Sequence, residues 1–160
     1  MLRISILCVG KLKEKYLKDA VSEYEKRLRT FCKLEIIEVD EEKSPDDPND
    51  TQIENIITCE GKRLLSKIDK STKVVAMCIE GKQRSSEGLA LYLEETAVSG
   101  VSSIAFVIGG SFGLSNEVKQ RANLKLSMSE MTFPHQLARV MLCEQIYRAF
   151  SINKGTKYHK

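Results

Sequence analysis

From residue 2 to residue 9 apolar positions first alternate with polar ones and then run unbroken, LRISILCV, until Gly10 ends the run. A strand entering a sheet that is covered on both faces has this pattern. Tyr16, Leu17, Ala20, Val21, Tyr24 and Leu28 then recur at helical spacing with charged residues between them, which predicts an amphipathic helix over 16–28. Residues 34–39 read as a second strand, and the acidic stretch after it, with Pro45 and Pro48, as a solvated loop. Thr51 and Glu54 have capping-box spacing, and Ile53, Ile56, Ile57, Leu64, Leu65 and Ile68 give the next helix its buried stripe. A strand at 73–79, a helix at 86–99 and a strand at 104–108 follow. The chain then continues through a glycine-rich loop, a short helix at 117–122, a brief strand at 124–127 and a last helix opening at Pro134, a residue suited to a first helical turn. Strands and helices alternate throughout, which predicts an α/β domain with a mostly parallel sheet and helices on both faces.

The 160 residues fill one domain, 1–160, and leave no room for a second. No apolar run approaches the length needed to cross a bilayer, and the apolar start lacks a small-residue cleavage site, so neither a membrane span nor a leader is expected. The five cysteines, Cys8, Cys32, Cys59, Cys78 and Cys143, are odd in number and lie mostly in apolar segments, where a thiol behaves as a small hydrophobe. A reducing cytoplasm is the expected location. With no CxxC pair and only His135 and His159 as histidines, a metal site is not expected. The net charge is +3, but its distribution says more than its size. Lys11, Lys13, Lys15, Lys18, Lys26, Arg27, Arg29 and Lys33 crowd one stretch and Arg148, Lys154, Lys157 and Lys160 the end, while acids crowd residues 40–50. Such basic surface suits a polyanion such as RNA, and solvated helix faces explain it equally well.

Open α/β sheets bind ligands beyond the carboxyl ends of their strands, so the loops after Ile79, Ile108 and Ser127 are the places to seek a site. In the loop Gly109-Gly110-Ser111-Phe112-Gly113 the glycines permit close backbone approach to a ligand; a tight turn would need them too. The spacing is neither GxGxxG nor GxxxxGK[ST], which disfavours a Rossmann dinucleotide site and a P-loop. The loop from Ser127 to His135 alternates polar and apolar residues, offering backbone amides to a purine edge and Met and Phe side chains to its face; a plug over the sheet end has the same composition. In the last helix His135 and Arg139 share a face, as do Glu144 and Arg148, the latter readable as a plain helix ion pair. Tyr158 and His159 beside lysines suit an unpaired base and its phosphate, and also an ordinary frayed end.

The segments VIGGSFGL from Val107, TFPHQLARVMLCEQIYRAF from Thr132, the terminal YHK and the opening ILCVGKLKEKY together resemble the SPOUT-class family of ribosomal RNA large-subunit methyltransferases that methylate N3 of a pseudouridine. The resemblance spans nearly the whole chain in order and length. It implies a SPOUT-type α/β fold whose C-terminal part threads a deep trefoil knot, an exception to the rule that chains avoid knots, and a homodimer. It also implies S-adenosylmethionine folded in the knot against Met77, Gly109, Met128, Ser129, Glu130, Met131, Thr132 and Phe133. Three positions depart from the family pattern: Met77 stands where leucine is common, Glu130 is an unusual charge, and Lys157 replaces a proline often found before the YH pair.

The implied reaction moves a methyl group from a sulfonium to a ring nitrogen that must lose its proton, without a covalent enzyme intermediate. On this resemblance His135 and Arg139 orient the substrate or handle the proton, and Arg148, Tyr158 and His159 grip the RNA; neither histidine is singled out as the base. The implied partner is the stem-loop of large-subunit RNA at the ribosomal subunit interface, in assembled ribosomes. Two other classes stand against this: a non-catalytic ribosome- or RNA-binding module with a cofactor-like pocket, which the intact glycine and TFPH segments disfavour, and a small-molecule enzyme using another nucleotide, which the missing phosphate-loop spacing disfavours.

Overall fold

The computed structural model describes residues 1–160 and forms a five-stranded parallel sheet in the order β2-β1-β4-β3-β5. The strands are β1 (Arg3–Val9), β2 (Lys33–Val39), β3 (Lys73–Gln83), β4 (Ser103–Ile108) and β5 (Leu124–Ser127). Between them lie α1 (Lys15–Leu28), α2 (Asp50–Leu65), α3 (Ser86–Val98) and α4 (Asn116–Arg121), and α5 (His135–Asn153) closes the series. The strand side-chain period of two explains the layers. Ile4, Ile6 and Cys8 of β1 point with Phe106 and Val75 into a core made by Val21 and Leu28 of α1, Leu93 of α3 and Leu142 and Ile146 of α5. Leu7 and Val9 point the other way, with Val74, Ala76 and Val107, against Leu64 of α2 and Val118 of α4. Burial on both faces is why β1 and β4 read as apolar runs rather than as alternation.

The expected elements are present, with three differences. The cap of α2 is Asn49, not Thr51: its side chain accepts the Gln52 N–H and the Gln52 side chain accepts the Asn49 N–H, both at 2.9 Å, so the reciprocal box is set two residues earlier. Pro134 is the N-cap of α5 rather than its first residue, with an extended ψ of 134° and no side chain to bond the helix amides. β3 runs four residues beyond Ile79. Met77 and Lys82 both stand opposite Leu126 of β5, so residues 78–81 bulge out of the ladder before parallel pairing resumes. Gly81 lets the bulge lie close to β5, since a Cβ there would lie 2.7 Å from the Lys125 carbonyl carbon and 2.8 Å from the Leu126 nitrogen.

All five cysteines are free; burial pushes the Cys8, Cys32 and Cys143 thiols up to about 12, while Cys59 sits on the exposed side of α2. No helix is long and apolar enough to cross a membrane.

Candidate active site

The carboxyl ends of β3, β4 and β5 open onto a cavity of about 760 Å³. The volume suits a ligand of cofactor size. Three chain segments wall it: 77–80 after the buried part of β3, the glycine loop after β4, and the stretch from Ser127 to His135 between β5 and α5. Met77, Gly109, Met128, Ser129, Met131, Thr132, Phe133 and His135 all line it. Glu130, placed there by resemblance, is exposed and outside the lining. Met131 is 73% exposed, a large apolar side chain left in water at the cavity edge.

The β5–α5 stretch is bonded mainly through side chains. Ser127 Oγ donates to the Ser129 carbonyl at 3.0 Å and Ser129 Oγ accepts the Met131 N–H at 3.0 Å. Residues 128–133 make no bond to other backbone groups. Their remaining amides and carbonyls are free to meet the donors and acceptors of a heterocycle.

The glycine loop is shaped first by itself. Gly110 and Gly113 form a bridge, with the Gly113 N–H on the Gly110 carbonyl at 3.1 Å, and Gly113 takes φ +88°. A Cβ on Gly109 would stand 2.5 Å from the Gly113 carbonyl carbon. Gly109 therefore lines the cavity, but the loop's own backbone is what forbids a side chain there. Beneath the loop lies Glu60 of α2, only 3% exposed, next to where a Gly110 side chain would be. One of its carboxylate oxygens accepts the Glu42 N–H at 3.1 Å and the other has no partner. Burial raises the Glu60 pKa above the ordinary glutamate value, against the Glu42 N–H bond that lowers it. Glu80 and Lys119 form an ion pair at the cavity rim. These residues carried no readable signal: Glu60 lies in a charged helix, and Glu80 and Lys119 meet only because β3 overruns its apolar part.

His135 begins α5 at the cavity wall. Burial, opposed by Glu41 and reinforced by Arg139 and Lys13, lowers its pKa below the usual 6.5, so the neutral imidazole dominates at pH 7. That is the form able to accept a proton. Arg139, one turn on, is 1% exposed and does not line the cavity. Its Nη1 donates to Glu38 Oε2 at 2.6 Å and its Nη2 to the Gly10 carbonyl at 3.1 Å. Within the chain it ties α5 to the ends of β1 and β2.

The terminal residues form a separate constellation. Tyr158 donates to Glu144 Oε1 at 3.1 Å, stacks edge-on against Tyr147 with centroids 4.7 Å apart, and lies under the Arg148 guanidinium at 4.8 Å. Arg148 Nε donates to the same Glu144 oxygen at 2.9 Å. The His159 ring lies between Arg148 Nη1 at 3.2 Å and Glu87 Oε1 of α3 at 2.8 Å. Arg148, Tyr158 and His159 are thus brought together, and the tail is docked on α5 and α3 rather than frayed. Glu144 also lines a second cavity, which shares Met77, Leu126, Ser127 and Met128 with the first.

Residues 2–159 match the model of a family described as "Predicted SPOUT methyltransferase". The chain is 53% identical over 159 residues, 99% of its length and all of the relative's, to Ribosomal RNA large subunit methyltransferase H of Exiguobacterium sibiricum. It is 52% identical, with the same coverage, to the protein of that name from Bacillus cereus. Among solved structures it resembles a probable methyltransferase from Bordetella pertussis Tohama I, with TM-score 0.56 and 13% identity over 93% of this chain and 96% of that one. A probable methylase family protein from Haemophilus influenzae Rd KW20 aligns with TM-score 0.52 and 14% identity over 99% of this chain and 70% of that one. At such identities these two speak for the fold alone.

Proposed function

The chain belongs to the SPOUT methyltransferase family, and on that premise we propose that it methylates N3 of a pseudouridine in large-subunit ribosomal RNA, in assembled ribosomes, with S-adenosylmethionine as donor. The observation that carries the reading is the cavity beyond β3, β4 and β5: of the eight residues the family resemblance assigns to the donor, seven line it and only Glu130 does not. The donor set fits the molecule. Residues 128–133 leave backbone amides and carbonyls free for an adenine edge, Met77, Met128 and Phe133 offer apolar surface to its face, and no phosphate-cradling glycine pattern is present for a compound that has no phosphate.

S-adenosylmethionine supplies an electrophilic methyl group on a sulfonium. The chain's part is to hold the reacting nitrogen in line and to remove its proton. Neutral His135, at the wall of the cavity, is the side chain best placed to take a proton, directly or through one water. Arg139 is a positioning residue in this scheme, fixing the start of α5 through Glu38 and Gly10. Arg148, Tyr158 and His159 hold the RNA. Membership of the family supports a knotted C-terminal half, and free thiols support a reducing cytoplasm. We take the working unit to be a homodimer.

Calorimetric titration with S-adenosylmethionine, NAD and ATP tests the cofactor assignment, with saturable binding of the first alone expected. Binding of none, or preference for NAD or ATP, would refute it. A donor-binding protein that leaves ribosomes unmethylated would instead be a binding module.

A further inference from the structure

The turn between β1 and α1 is held at three points. Gly10, with φ +77°, donates its N–H to the Val39 carbonyl at 2.8 Å and gives its own carbonyl to Arg139 Nη2 at 3.1 Å. Leu12 turns inward and packs on the core shared by α1 and α5. The Lys13 N–H is taken by the Gln136 side chain at 3.1 Å. Gln136 follows the cavity-lining His135 in the chain, so two of the anchors come from the first turns of α5 and hold this turn against the helix end that walls the cavity.

With Leu12 inward, the residues on either side of it face water. Lys11 and Lys13 are exposed, and neither forms an ion pair, whereas Lys15 close by is paired with Asp19 at 2.6 Å. The charge of Lys13 is felt at His135, where it opposes protonation. Two unpaired cations on a firmly anchored turn lose little backbone freedom when they bind an anion.

We propose that Lys11 and Lys13 bind the RNA backbone phosphates flanking the target nucleotide, so that the β1–α1 turn sets where the strand passes over the cavity. This rests on the RNA methyltransferase reading above. Phosphate is favoured over a base edge because an ammonium is a compact charge without an acceptor or a planar fork. Phosphate contacts fix register and leave reading of the base to groups inside the cavity.

Affinity for purified ribosomes, measured against salt concentration, tests the pair in the full-length protein. The variant carrying Lys11→Gln and Lys13→Gln should bind about 10–100-fold more weakly, and its log–log salt slope should be shallower by about two, one unit per lost phosphate contact. Its S-adenosylmethionine affinity should equal that of the wild type, which also reports a folded cavity. Arginine at both positions should restore ribosome binding, and Lys70→Gln, at the opposite end of the sheet just before β3, should leave it unchanged. Wild-type affinity and slope in the double glutamine variant would overturn the proposal. So would weakened S-adenosylmethionine binding, which would assign the lysines to the cofactor carboxylate, or an equal loss in Lys70→Gln, which would reduce the effect to net charge. Because the readout is binding rather than turnover, wild-type protein that binds ribosomes without methylating them would sink the parent reading and leave the lysine result standing.

Discussion

At Gly109 even a methyl group would enter the backbone of Gly113, 2.5 Å from its carbonyl carbon and 2.6 Å from its oxygen. Neither partner is a flexible side-chain end, so the loop itself must open. Gly109→Ala should therefore lower stability by about 1–3 kcal/mol, the usual cost of overpacking, and weaken cofactor binding at the same time. Thermal unfolding and calorimetry on the same sample check this. A variant with unchanged melting temperature and no cofactor affinity would show that the ligand, rather than the loop, occupies that space. His135 makes a second residue-level prediction through its lowered pKa. If neutral His135 accepts the proton, the single-turnover rate should hold as pH falls from 8 to neutrality and drop only below the ordinary histidine value of 6.5. That acid limb should vanish in His135→Ala, leaving a slow, flatter profile. An acid limb with its midpoint above 7 would remove His135 from the role. The same shift bears on stability: the unfolded chain binds the proton more readily, so the contribution of neutral His135 is present above pH 6.5 and is lost as pH falls through that range.

Among the elements, those buried on both faces could be read from the sequence. β1 and β4 follow from apolar runs, and α1 from its one-sided stripe, because burial and residue type agree along them. The extension of β3 could not, since Glu80-Gly81-Lys82-Gln83 is polar and pairs through backbone alone. Charged side chains in helices misled in the same way. Nothing local marks Arg139, expected at the substrate, or Glu60 as among the most buried polar residues, each held by a partner distant in sequence. The segments that wall the cavity were legible because the glycine loop and the TFPH run are local; how far the tail docks was not, because Glu87 lies 72 residues from His159.

That docking sharpens what the tail should do. Deleting 157–160 removes the bonds to Glu144 and Glu87 and should lower the melting temperature by a few degrees, as loss of about 1–2 kcal/mol would in a domain of this size. If the tail also holds RNA, methyl transfer should fall far more, about a hundredfold at saturating cofactor, with donor affinity unchanged. Tyr158→Phe loses only the hydroxyl bond to Glu144 and keeps the stacked ring, so it should retain most of both properties. Wild-type rates in the deletion would make the tail a brace for α5 and nothing more.

For the molecule as a whole, the homodimer is the coarsest expectation and the simplest to check. Light scattering should give twice the chain mass of 18.1 kDa at micromolar concentration. A monomer that binds the donor and methylates ribosomes would dispense with any role for a partner subunit. The sheet order β2-β1-β4-β3-β5 also bears on the candidate site, since the last strand to be made joins the edge of β3 and leads directly into α5.

That order matters during synthesis, when the chain appears from its amino end. α1 and α3 are complete well before α5, yet Leu142, Cys143, Ile146 and Ala149 of α5 complete the core those helices share with the sheet. Until α5 emerges, a nascent chain carries an apolar trough along one side of an otherwise finished sheet, a feature that chaperones bind and that aggregates when left bare. The helix that covers the trough also brings His135 and Ala138 to the cavity. A chain stalled or cut before α5 thus has an uncovered core and an incomplete site together, so no soluble but half-assembled enzyme should accumulate.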